Sequence, residues 1–115
     1  MIGQYHITPI ASQVLNGADL PFITWVPFDD PLSLPCFKLK FINSTAADLI
    51  IGFGSQTSHD VVEGNSTMEI VSPSGGSDAA FFKKGLVIYV IKASVDVLTN
   101  GITMVGYSMQ ELPGR

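Results

Sequence analysis

Few side chains in this sequence are of types that do chemistry, and their spacing decides what each can do. Ser58-His59-Asp60 sets the three residue types of a hydrolase triad side by side. Triad members must converge from separated positions, and strand alternation sends His59 to the face opposite its two neighbours. The tripeptide therefore reads as a polar approach to a strand with an Asx-type turn. His6 and His59, with Asp60 or Glu63 as a third ligand, form the one metal set on offer, but no HxH or HxxxH spacing supports it. Cys36 sits between Pro35 and Phe37 at the start of an apolar stretch. Lys38 is expected on its face, which would favour a thiolate, whereas the apolar setting favours a small buried filler, and the filler reading is preferred. Asp29-Asp30 lacks the surrounding Asp, Asn and Gly of a calcium loop and reads as a solvated turn. Gly52-Phe53-Gly54-Ser55 is followed by neither a helix start nor Lys-Ser/Thr, so it ends a strand and cradles no phosphate. The sequence thus predicts no catalytic residue, no cofactor and no metal.

Binding is the better prospect. Lys83-Lys84, with Lys92, form a basic cluster too small for a nucleic-acid groove but enough to meet an acidic partner surface. Trp25 and Tyr5 are candidates for stacking on a sugar, although a single Trp more often belongs to a core. Interface candidates are Tyr5, Ile7, Pro9 and Ile10 in the N-terminal arm, Trp25 and Phe28 in the segment between them, and Lys83 and Lys84.

Composition points the same way. The 115 residues hold six Lys/Arg against ten Asp/Glu, a net charge of −4, which argues against nucleic acid. Only 14% are charged, against roughly 25% in a typical domain. With 46% hydrophobic residues and a mean hydropathy of +0.35, the chain has more apolar surface than a small monomer easily hides. Contact with partners, including further copies of the chain, is expected. One cysteine allows no internal disulfide. Residues 1–6 have neither a basic nor an apolar signal region, and the longest apolar run, 86–91, is far short of the ~20 residues that span a bilayer. Synthesis in a cytoplasm without membrane insertion is expected.

The elements that must position these groups are strands. Apolar residues recur with period 2: Phe37, Leu39 and Phe41 alternate with Lys38 and Lys40, and Leu49, Ile51 and Phe53 share a face. Further strands are expected at 61–62, 67–71 and 86–93, the last central and buried on both sides. Gly52 and Gly54 suggest a bulge or a close backbone approach. Residues 72–77 read as a loop and 78–83 as an extended connector. Asn100-Gly101 predicts a hairpin joining 95–98 to 102–108. In the first third, 4–11 and 22–26 look extended, and the prolines keep this part out of central sheet positions. Seven or eight short antiparallel strands at ~8–12-residue spacing imply one all-β domain over 1–115. That domain is a β-sandwich, jelly-roll-like or immunoglobulin-like, with an extended N-terminal arm that serves as an edge or as an extension.

Residues 40–108 resemble a family of small β-sandwich virion structural proteins of tailed bacteriophages. The resemblance rests on Phe41-Ile42-Asn43-Ser44-Thr45, on 48–54, and on His59-Asp60-Val61-Val62-Glu63-Gly64-Asn65. It continues through Phe81-Phe82-Lys83-Lys84-Gly85-Leu86-Val87-Ile88-Tyr89-Val90 and a last strand near Gly101 and Tyr107. Each motif is generic strand and turn chemistry, and their order carries the likeness. It implies a non-enzymatic part of the particle: a capsid decoration or cement subunit, or else a head-to-tail or tail connector, docked on other virion proteins. The N-terminal third, with Trp25 and its prolines, departs from the family pattern. A carbohydrate-binding, receptor-recognising module is the rival expectation from another class.

Overall fold

The computed structural model describes residues 5–10, 12–71 and 82–111. The expected loop at 72–77 and most of the connector at 78–83 lie outside the described residues. Among the described residues nine strands follow in order: β1 (Tyr5–Pro9), β2 (Gln13–Asn16), β3 (Val26–Pro27), β4 (Lys38–Asn43) and β5 (Leu49–Phe53), then β6 (Asp60–Val62), β7 (Ser66–Val71), β8 (Ile88–Lys92) and β9 (Gly101–Glu111). A one-turn 3-10 helix, Gly17–Asp19, follows β2.

All strand pairs are antiparallel. One sheet runs β2–β9–β4–β7, with β1 continuing the edge that β2 begins, and the other runs β3–β8–β5–β6. Nearly every connection crosses from one sheet to the other, and the resulting order is that of a jelly roll. The fold is an all-β sandwich, as expected, and its topology selects the jelly roll over the immunoglobulin arrangement.

Alternation builds the core between the sheets. Leu39 and Phe41 of β4 meet Ile102 and Met104 of β9 on one inner face, and Leu49, Ile51, Ile88 and Val90 come from the other. Aromatic rings carry the packing across: Phe41 lies 6.5 Å from Phe28 and 6.4 Å from Phe53, and Phe53 lies 5.4 Å from Phe82. Asn43 is buried at the end of β4, where its amide ties the sheets together. Nδ2 donates to the carbonyls of Ala47, Val62 and Glu63, while Oδ1 accepts from the Thr45 N–H and hydroxyl.

Both prolines that fall within strands, Pro9 and Pro27, lie on edge strands. Ile10 N–H bonds Gly106 O and Phe28 N–H bonds Ile88 O, so Pro9 and Pro27 fall at positions whose backbone nitrogen faces away from the sheet. Gly52 marks a close approach, since a Cβ there would lie 2.8 Å from Thr57 O.

Two expectations need correction. Asn100 does adopt a left-handed turn conformation (φ 62°), but 95–98 is not a strand. The edge of β9 that a hairpin partner would occupy is already taken by β2, in register Gln13↔Met104 to Asn16↔Gly101. The strand expected at 86–93 is shorter and one-sided, for Tyr89 and Ile91 face outward and are only half-buried. It is central as expected, for β8 lies between β3 and β5 and is paired along both edges. Of the two roles expected for the N-terminal arm the structure shows the edge: β1 pairs with β9 of its own chain, from Tyr5↔Glu111 to Pro9↔Tyr107.

Candidate functional site

His59 and Asp60, two of the residues whose types suggested catalysis, hold local structure. His59 Nδ1 accepts the Phe53 N–H at 2.8 Å, and its ring stacks on Phe53 at 5.7 Å. Asp60 Oδ1 accepts the Val61 N–H. Gln13 clamps the backbone of Asp30, accepting its N–H and donating to its carbonyl, both at 2.9 Å. Among the described residues no three His, Cys, Asp or Glu gather where a metal would bind. The side chain of His6 lies outside the described residues, as does that of Tyr5.

Cys36 is fully buried, its thiol reaching Leu34 O at 3.4 Å, and burial raises its pKa from 9.0 to about 11. Lys38 does not share its face. Phe37 N–H bonds Tyr107 O while Lys38 itself pairs with Tyr107, so two residues oppose one in a β-bulge. The bulge reverses the alternation and turns Cys36 inward. Lys38 stays outside, 3.6 Å from Glu69 and 4.5 Å from the centroid of the Tyr107 ring.

The interface candidates divide. Ile7 and Pro9 are exposed on β1 and Lys83 and Lys84 are exposed before β8, whereas Ile10 and Phe28 are core residues with no surface to offer. Trp25 is half-buried with its Cζ3 packed towards Gly52, where a Cβ would lie 3.3 Å away. The basic cluster dissolves as well: Lys92 sits at the far end of β8, only 4% exposed, its ammonium donating to Asp96 O at 2.6 Å.

That lysine organises a surface the sequence reading missed. Phe22 bridges to Lys92, Ile23 N–H bonds Lys92 O at 3.1 Å, and the ammonium of Lys92 holds the 95–97 loop. Phe22, Ile23, Val95 and Val97 are thereby brought to one end of the sandwich, all exposed, Val95 and Val97 to 75% and 76%. Ile23 has φ 48°, a left-handed conformation that is costly for a β-branched residue. The visible signal was Val95-Asp96-Val97, whose alternation is also that of a strand.

Compared with known proteins, the chain matches no family model, no curated protein and no solved structure. Its own surface carries the functional reading.

Two open hollows adjoin at the end of the first sheet where β9 begins. One of about 390 Å³ is lined by Val14, Asn16, Ser44, Asn100, Gly101 and Thr103. The other, of about 340 Å³, adds Asn65, Ser66 and Thr67 around the same Ser44 and Asn100. The polar side chains in this groove are uncharged amides and hydroxyls. They can hydrogen-bond a neutral ligand, but the groove contains no aromatic platform.

Proposed function

We propose that this chain is a non-enzymatic virion structural protein of a tailed bacteriophage, a capsid decoration or cement subunit held by protein–protein contact. The observation that carries the reading is the apolar tip. Four large hydrophobic side chains stand in water, at a backbone strained on a β-branched residue, in a chain with few charges. Exposed apolar clusters of this kind mark contact sites, and strain held at a surface turn is characteristic of functional positions. Burying each such side chain contributes roughly 1.5–3 kcal/mol before ordering costs, enough for the tip to decide attachment. Exposed Lys83 and Lys84, at the other end of β8, offer a second contact to an acidic neighbour. The jelly roll supports the reading by analogy only, since it serves viral capsid and lectin domains alike. A head-to-tail or tail connector would use the same surface.

Occupancy of purified particles tests the tip. Ile23→Gly removes the strained side chain and should leave thermal stability unchanged or raise it by about 1 kcal/mol. It should nevertheless reduce the amount of the protein bound to the particle, as should Val95→Asp with Val97→Asp. Full occupancy by folded variants would remove the tip from the docking surface.

The polar groove favours one second reading, a receptor-binding module for a neutral glycan. Asn65 and Asn100 have φ 54° and 62°, so Asn→Gly at either keeps the backbone and deletes the amide. A glycan retained by the native protein and lost in both variants would favour that reading over the structural one.

A further inference from the structure

Each sheet has two edges, and three of the four are poorly suited to a further strand. β3 is two residues long and ends in Pro27, and β6 is three residues long and opens on Asp60. The β1–β2 edge carries Pro9 and three residues where β9 has two, between Pro9↔Tyr107 and Gln13↔Met104. β7 differs. It has six residues, an unbroken register with β4, no proline and no inward-pointing charge, and among the described residues it pairs with β4 alone. Such an edge is a template for another strand.

Its hydrogen-bonding phase follows from the neighbouring ladder. Ser44 N–H bonds Gly101 O, so even-numbered residues of β4 direct their backbone groups to β9 and odd-numbered ones to β7. Leu39, Phe41 and Asn43 stand opposite Ile70, Met68 and Ser66. The backbone groups of those three β7 residues are therefore used within the sheet. Those of Thr67, Glu69 and Val71 point out of it.

We propose that β7 pairs with β7 of a second copy, antiparallel about a two-fold axis at Met68, so that two five-stranded sheets become one. The strand is complementary to itself in this register. Thr67 lies opposite Glu69 of the second copy and exchanges both backbone hydrogen bonds with it, and the symmetry repeats the pair. Each Glu69 then faces a threonine hydroxyl and keeps its own Lys38 at 3.6 Å. The register centred on Glu69 would oppose two carboxylates directly, an unfavourable like-charge pair. A closed two-fold contact also uses up the edge on both copies and ends the growth of the sheet. The pairing stands on β7 and holds or fails independently of any role in a particle.

Sedimentation velocity of the full chain, diluted from near-millimolar to low micromolar, reads the contact. The native protein should dissociate from dimer to monomer on dilution. Thr67→Pro removes an outward N–H and no bond to β4, so it should give a monomer with an unchanged circular dichroism spectrum. Thr67→Glu should weaken the dimer several-fold and Thr67→Lys tighten it by a similar factor, because position 67 faces Glu69 of the second copy. A native chain that is monomeric at the highest concentration overturns the proposal, as does a dimer indifferent to Thr67→Pro. Glu and Lys variants that move the dimer in the same direction overturn it too, and need no proline to fold.

Discussion

Cys36 illustrates how one residue's neighbours settle its chemistry. Its thiol is enclosed by the core, and a Cβ on Gly106 would come within 2.8 Å of its sulfur. Burial favours the neutral form, so the folded pKa of about 11 exceeds the ordinary 9.0. The unfolded chain then loses the thiol proton first as pH rises, and stability must fall across that window. Below pH 9 the thiol contributes its full share, and between 9.0 and about 11 roughly 2–3 kcal/mol is lost. Urea denaturation at pH 8 and pH 11 should show this drop in the native chain and a smaller one in Cys36→Ala. Equal drops in the two would mean that other groups set the alkaline limit.

At the scale of elements, the N-terminal arm is where structure and sequence diverge most usefully. Its apolar, nearly uncharged character suits a strand laid on a neighbour, and the neighbour proves to be β9 of the same chain. Ile10, at the end of the arm, is a core residue beside Gly106. Deleting residues 1–10 should therefore lower the melting temperature by several degrees rather than leave an intact domain, whereas an unchanged melt would return the arm to an accessory role.

The strands β4, β5 and β7 were legible because alternation writes the inner and outer faces directly into the sequence. Asn100-Gly101 misled because a left-handed Asn serves a loop as well as a hairpin, and only the position of β2 beside β9 tells them apart. The inward turn of Cys36 was hidden because a bulge shifts the phase of alternation and leaves no mark on residue type. The apolar tip was hidden for a different reason. Phe22, Ile23, Val95 and Val97 are far apart in sequence, and it takes the backbone and ammonium of Lys92 to bring them together.

Among the described residues, a jelly roll encloses one apolar core and presents three surfaces to solvent: an apolar tip, an open strand edge and a polar groove. The tip offers apolar side chains, the edge unpaired backbone groups and the groove neutral amides and hydroxyls. That division of surface supports the proposal of a subunit held between neighbours. The proposed role places the chain in a virus particle, and electron cryomicroscopy of particles assembled in its presence tests that claim most directly. Resolved density for the nine-stranded sandwich, in repeated copies with the tip of Phe22, Ile23, Val95 and Val97 buried on a capsid or tail protein, is the expected result. Particles that lack the chain, or carry it with the tip turned to solvent, would contradict it.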